Sequence, residues 1–219
     1  MAEWLNTAFF GFDRGVFLGM HALAESAGGF ITPLFKVITF LGDKGWAFLV
    51  TAVILMLFKK TRKVGLAMLF AVACGAIITN IALKNIVDRQ RPFLANEEYN
   101  GFWKFVQGEL EDESSFPSGH TTAAMAAMTA LFLTCNKKWS WVGFLFALLM
   151  GVTRLYFVVH YATDVIAGLI SGSIGAIAGY YIMKGVYKLI EKHKDKKLCN
   201  FALEFNLPDL FKKKHNIEE

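Results

Sequence analysis

The sequence predicts an all-α, polytopic membrane protein: a six-transmembrane helical bundle with its functional site at the external membrane face. Three observations carry this. The chain of 219 residues is 55% hydrophobic, with a mean hydropathy of +0.42, and its apolar residues fall in long blocks. Fifteen of the 23 basic residues gather at three places that alternating crossings put on one side. Six ionisable residues, Lys84, Arg91, His120, Arg154, His160 and Asp164, stand at the opposite ends of those crossings.

Composition narrows the classes further. The net charge of +5 is small and lies mostly in clusters between apolar blocks, which reads as membrane orientation and not as a nucleic-acid surface. Cys74, Cys135 and Cys199 form no CxxC pair, so neither a disulfide framework nor a zinc site is expected. The start, MAEWLNTAFF, lacks a basic n-region and a small-residue cleavage site, which argues against a removable signal peptide. One membrane domain over residues 1–190 and a basic cytoplasmic tail over 191–219 are expected.

Met1–Asp13 carries Trp4, Phe9, Phe10 and Phe12, an aromatic lead-in suited to the interface. Val16–Leu41 is long enough to span but holds His21, Glu25, Pro33 and Lys36, which makes it the weakest crossing. Leu41–Phe58 is the second, short by the ~20-residue rule once its charged start is set aside, and Lys59-Lys60-Thr61-Arg62-Lys63 stops it. Val64–Leu83 is a clean span of 20 residues ending at Asn80 and Lys84. A polar loop over 85–115 follows, with seven acidic residues against three basic ones. Phe116–Cys135, Trp139–Val159 and Ala162–Met183 complete the bundle, with a tight turn at Asn136-Lys137-Lys138. Gly168-x3-Gly172 and Gly175-x3-Gly179, with Ala71-x3-Gly75 and Ala123-x3-Ala127, offer small faces for close helix packing in lipid. In the tail, charged residues alternate with Phe201, Leu203, Phe205, Leu207, Leu210 and Phe211, a pattern that suits an interfacial helix.

The basic clusters at 59–63, 137–138 and 184–214 mark the cytoplasmic side. The expected arrangement is a bacterial plasma-membrane protein with cytoplasmic N- and C-termini and the six ionisable groups outside.

Ionisable side chains at membrane depth are costly, so function is their default reading. His160 and Asp164 are four residues apart, on one face if helical there; the carboxylate can hold one imidazole nitrogen and free the other to attack. Lys84 and Arg91, seven residues apart, suit one helical face, as a compact charge and a bidentate fork for phosphate oxygens. Pro117-Ser118-Gly119-His120 precedes a helical pattern: Ser118 is expected to cap it, Gly119 to let an anion approach its positive end, and His120 to donate a proton. Taken singly these stretches have bland explanations: a juxtamembrane basic cluster that includes Arg89, an interfacial histidine, an Arg154–Asp164 pair at the membrane edge. Their joint occurrence on one side favours phosphoryl transfer.

K-x6-RP from Lys84, PSGH from Pro117 and R-x5-H-x3-D from Arg154 together resemble the three-part signature of the type 2 phosphatidic acid phosphatase (PAP2) superfamily. Thr153 stands where the family often has serine and keeps the hydroxyl. The superfamily also holds vanadium haloperoxidases, which are soluble and much larger. The resemblance implies a lipid phosphatase that needs no metal or other cofactor. It implies that His160 is the nucleophile and forms a phosphohistidine, that Asp164 orients it and stabilises the imidazolium, and that His120 protonates the leaving oxygen and then activates water. It further implies that Lys84, Arg91 and Arg154, with Ser118 and Gly119, hold the phosphoryl oxygens. The partners are then the bilayer and a lipid bearing a phosphate or diphosphate, such as undecaprenyl diphosphate, phosphatidate or phosphatidylglycerol phosphate. A lipid phosphotransferase using the same histidine and a non-enzymatic transporter or scaffold are the alternatives. Oligomeric state is encoded in no motif.

Overall fold

The computed structural model of the protein describes residues 1–209, and over that range its regular structure is helical throughout. The tail residues Leu210, Phe211 and Lys212–Lys214 lie outside it. Helix α1 covers Ala2–Ala8, α2 Phe10–Gly42 and α3 Trp46–Met56. Helix α4, Arg62–Ala76, runs through a π-helical segment, Ile77–Leu83, into α5, Lys84–Val87. Two short helices, α6 (Pro92–Ala95) and α7 (Glu97–Phe105), lie inside the polar loop. Then come α8 (Gly119–Thr134), α9 (Lys137–Ser140), α10 (Val142–Tyr156), α11 (Ala162–Lys192) and α12 (Lys197–Glu204).

The helix ends follow their local chemistry. Asn96 caps α7 by accepting from Tyr99 N–H at 2.8 Å, with Glu97 and Glu98 in the first turn, where the helix dipole favours negative charge. Ser118 caps α8, as expected, accepting from Thr121. Asp164 reaches back to the Tyr161 N–H at 2.9 Å and closes the start of α11. Asp88 terminates α5 in the left-handed region, at φ 44°.

The core is the three-helix seam of α4, α8 and α11, and glycine makes it possible. A Cβ on Gly175 would sit 2.6 Å from the Gly75 nitrogen, and one on Gly172 would sit 2.6 Å from the Thr122 carbonyl. The glycines of α11 thus pair with Ala71 and Gly75 of α4, as expected from sequence, and with the Thr121, Thr122 and Ala126 side of α8 in place of Ala123 and Ala127; α11 runs antiparallel to α4 and parallel to α8. Among lipid tails no hydrophobic force holds helices together, so backbone contact of this kind supplies the packing. Gly175→Ala is therefore expected to cost about 1–3 kcal/mol through overpacking, read as a lowered thermal midpoint in detergent. Gly185→Ala, on the same helix with open space around it, should leave the midpoint unchanged or slightly raised. On the far side of α11, Ile166, Ile170, Ile174 and Ile177 form an exposed apolar stripe, the face of an integral membrane protein turned to lipid.

Among the described residues, four helical stretches are long and apolar enough to cross a membrane: Phe10–Met56, Arg62–Ala95, Lys137–Tyr156 and Ala162–Lys192. The first contains a break, for Lys44 and Gly45 both take positive φ (47° and 72°). Its α2 part differs from the expected first crossing. Near its start, Asp13 pairs with Arg89 and accepts from Thr163 N–H; near its end, Gly42 lies against Met150 and His120, and Thr39 bonds Arg154. In between, His21 stacks on Phe102 at 4.1 Å and Phe35 meets the Tyr156 ring at 5.0 Å. Every one of these partners belongs to the end of the bundle that carries the six ionisable residues.

At about 50 Å for its 33 residues, α2 lies across that end without passing to the other. The physical reason is its polar content: Asp13 and Thr39 find partners there that hydrocarbon would not supply. Among the described residues, α3, α4–α5, α8, α9–α10 and α11 run between the two ends of the bundle. The N-terminal arm thus sits at the site end, with Asn6 accepting from Arg89 at 2.7 Å. Helix α12 docks at the other end, where Arg62 donates to the carbonyls of Ala202 and Leu203 at 2.9 and 2.8 Å.

Candidate active site

A cavity of about 440 Å³ opens at the site end, walled by the π-helical segment, the first turn of α8, the α10–α11 connection and the end of α2. Lys84, Arg91, Gly119, His120, Arg154 and His160 line it. The sequence motifs are thus brought together from three separate stretches. Ser118 is the exception. It is fully buried behind the cavity, its hydroxyl accepting from Thr121 Oγ1 at 2.9 Å and its N–H donating to the Asp164 carbonyl at 3.1 Å. It positions the helix end and is not among the residues lining the cavity.

Lys84 and Arg91 converge, but not as two positions on one helical face. The left-handed turn at Asp88 ends the helix, and Arg91 is extended (φ −63°, ψ 146°) ahead of Pro92. The unusual π-helical segment just before Lys84 is a feature often found at functional sites. Buried under it, Thr79 and Thr122 share a hydrogen bond at 3.0 Å, and Ser171 joins both.

His160 is buried between α10 and α11. Its Nδ1 lies 2.6 Å from the Ser115 carbonyl and its Nε2 2.9 Å from Arg91 Nη1. A carbonyl can only accept, so Nδ1 carries the proton and Nε2 presents its lone pair toward the cavity cations. Burial, together with the charges of Arg91 and Arg154, holds the imidazole well below its ordinary pKa, which keeps it neutral and able to attack. Asp164 was expected to hold this ring. It stands 3.7 Å from Nδ1, and its oxygens are taken by Arg89 and the Tyr161 N–H. The Ser115 carbonyl is the direct partner, and Asp164 acts one shell further out.

Arg89, seen in the sequence only as part of a basic cluster, is the centre of that outer shell. Its guanidinium meets Asp164 Oδ1 at 2.6 Å, Asp13 Oδ2 at 2.9 Å, Thr163 Oγ1 at 2.7 Å and Asn6 Oδ1 at 2.7 Å, and it lies 3.6 Å over the Tyr161 ring. Its backbone carbonyl accepts from Ser115 N–H at 2.8 Å, so the same residue fixes the peptide that holds His160. The Asp-Arg-Gln-Arg-Pro run carried a signal for this, two arginines of alternate register before a proline. Asp13, 76 residues away in sequence, carried none.

The remaining cations are held in place. Arg91 donates to the carbonyls of Glu113 and Val159 at 2.8 and 2.9 Å and pairs with Glu111 at 2.6 Å. Arg154 bonds Thr39 Oγ1 and Glu111, and Lys84 pairs with Glu113. His120, second residue of α8, faces the same space. No cluster of three or more His, Cys, Asp or Glu side chains able to hold a metal ion occurs among the described residues. A neutral imidazole with one free nitrogen, a second histidine and three cations around one cavity at the end of a membrane bundle define a membrane-embedded phosphoryl hydrolase.

Comparison with known proteins gives the same class. The family model for the PAP2 superfamily matches residues 64–188, more than half the chain and all three motifs; the chain belongs to the PAP2 superfamily and is a phosphatase of that type. An undecaprenyl-diphosphatase of Sulfolobus acidocaldarius is 29% identical over 66% of this chain and 74% of its own. Phosphatidylglycerophosphatase B of Bacillus subtilis is 27% identical over 64% of this chain and 66% of its own. The crystal structure of Aquifex aeolicus LpxE superposes with TM-score 0.57 at 26% identity, covering 68% of this chain and 84% of that one. A transmembrane PAP2-type phosphatidylglycerolphosphate phosphatase from Bacillus subtilis shares the fold at 22% identity, with TM-score 0.52 over 89% of this chain and 98% of that one.

Proposed function

We propose that the protein hydrolyses a lipid phosphate or diphosphate through a phosphohistidine on His160, without a metal. The observation that carries this reading is the tautomer at His160: Nδ1–H tied to the Ser115 carbonyl, Nε2 free beside Arg91. In the first step the headgroup phosphorus enters among Lys84, Arg91 and Arg154, with Gly119 allowing close approach at the helix end. Nε2 attacks, the bond to the leaving oxygen breaks, and His120 gives that oxygen its proton. In the second step His120, now neutral, takes a proton from water, which displaces the imidazole and releases phosphate. The three cations offset the charge developing on the equatorial oxygens, the task a metal performs in other phosphatases.

The lipid chemistry this fits is a terminal phosphate presented at the outer leaflet. The relatives named above act on undecaprenyl diphosphate and phosphatidylglycerophosphate, and undecaprenyl diphosphate is the reading favoured here. The test is phosphate release by the detergent-solubilised protein from undecaprenyl diphosphate, phosphatidylglycerol phosphate and phosphatidate. Release should survive EDTA and be blocked by vanadate, whose trigonal-bipyramidal adduct on His160 mimics the transferring group. A phosphorylated acceptor in place of inorganic phosphate would make the enzyme a phosphotransferase; complete loss on chelation, restored by Mg²⁺, would remove the mechanism.

The basic clusters favour an arrangement with α12 and the turns at 57–61 and 135–141 in the cytoplasm and the cavity outside. Since the N-terminal arm packs at the cavity end, it too lies outside in this arrangement. On a background lacking the three native cysteines, a membrane-impermeant thiol reagent on intact cells should label Cys placed at Glu3 or Glu97, but not at Lys138. Labelling at Lys138 alone would invert the orientation, and labelling at Glu97 without Glu3 would remove the N-terminal arm from the outer face.

A further inference from the structure

Each cation of the cradle is paired with a carboxylate from one short segment, Glu109–Glu113. Glu111 reaches both arginines, one oxygen meeting Arg91 Nη2 at 2.6 Å and the other meeting Arg154 Nη2. Glu113 pairs with Lys84, and its carbonyl accepts from Arg91 Nε. The Glu111 side chain, 24% exposed, lines the cavity alongside His120 and His160. A planar carboxylate shared by two guanidinium groups offers what a phosphoryl group offers, two anionic oxygens for two forks.

The backbone attachment of the segment is slight. It is pinned at Gly108, whose N–H donates to the Trp103 carbonyl at 3.0 Å, and at Ser115, which pairs with Arg89 at 2.8 Å. Between these pins, among the described residues, no main-chain group of residues 109–114 pairs with another main-chain group, and Leu110 is 79% exposed. Side-chain bonds hold the ends of the strap, Trp103 Nε1 donating to the Glu109 carbonyl at 3.4 Å and the Arg89 N–H to Ser114 Oγ at 2.9 Å, while the stretch between is held on the cavity by its contacts with the three cations.

We propose that Glu111, with Glu113 beside it, is an internal competitor of the substrate that sets which headgroups are admitted. In the unliganded protein its carboxylate stands at the phosphoryl position. A terminal phosphate, carrying close to two negative charges at neutral pH, outcompetes this single charge and lifts the strap. A phosphodiester, with one charge spread over two free oxygens, gains nothing by the exchange. In a bilayer whose commonest headgroups are phosphodiesters, this keeps the cavity clear for lipids with a terminal phosphate. The inference rests on the reading of Lys84, Arg91 and Arg154 as the phosphoryl cradle.

The test is calorimetric titration of the full-length, detergent-solubilised protein with inorganic phosphate and with dimethyl phosphate, a soluble diester. Wild type should bind phosphate and show little heat with the diester. Glu111→Gln keeps the shape but loses the charge, and should bind phosphate about tenfold more tightly and admit dimethyl phosphate. Glu113→Gln, at a side chain 66% exposed, should show a smaller gain of roughly two- to threefold, and Glu97→Gln none. Unchanged or weaker phosphate binding in Glu111→Gln overturns the proposal; if that variant does not fold, unchanged binding in Glu113→Gln does so instead. Phosphate release from phosphatidate, measured in parallel, separates the two readings. Tighter binding in Glu111→Gln with no release by any form keeps the competitor and removes the hydrolase. Normal release with unaltered binding does the opposite.

Discussion

Replacing His160 by alanine is expected to lower turnover by roughly four orders of magnitude or more, the scale seen when a covalent nucleophile is removed. Substrate should still bind, because Lys84, Arg91 and Arg154 remain. In the wild type, a single turnover with radiolabelled lipid should trap an acid-labile, base-stable phosphoprotein with the label on His160. His120→Ala should form this species slowly and release it more slowly still, since the same imidazole serves both as acid to the leaving oxygen and as base to water. Label on a serine or aspartate, or near-normal turnover in His160→Ala, would remove the histidine mechanism.

The second large effect concerns Arg89, which lines no part of the cavity. It neutralises two buried carboxylates at once, Asp13 and Asp164. Arg89→Met would leave both without a cation, at a cost of about 3–5 kcal/mol, enough to threaten folding at growth temperature. Arg89→Lys keeps the charge but cannot fork between two carboxylates while stacking on Tyr161. It should fold with a lowered thermal midpoint and show reduced kcat with KM nearly unchanged, because it acts on His160 through Asp164 and Ser115 and touches no substrate. Asp13→Asn combined with Arg89→Lys should cost less than the sum of the two single changes, as expected of groups in one network. A KM effect without a kcat effect would mean that Arg89 holds the headgroup directly.

Much of this site was legible in the sequence because its parts are side chains with strong chemical preferences. Lys84, Arg91, His120, Arg154 and His160 sit at the ends of apolar stretches, where charge has few bland explanations. The α4–α8–α11 seam was equally readable, since small residues four apart on a membrane helix have a direct packing meaning. What escaped falls into two kinds. The group that holds His160 is the carbonyl of Ser115, and a backbone atom leaves no mark in a sequence. The Asp13–Arg89 pair and the course of α2 depend on contacts between distant segments. Hydropathy measures how apolar a segment is and not which way it runs, so Val16–Leu41 scores as a crossing although its polar residues find partners only along one end of the bundle. The Lys84–Arg91 spacing misled for a local reason: a left-handed residue at Asp88 ends the helix that seven-residue spacing assumes.

The path of α2 has a consequence for experiments that attach probes to this protein. A chain that passes through the bundle an odd number of times leaves its first and last helices in different aqueous compartments, whichever way round it inserts. In the arrangement proposed above, halves of a split fluorescent reporter, one placed ahead of Trp4 and the other just after Glu204, should therefore not complement within one molecule in a sealed membrane. They would meet only after the membrane is broken.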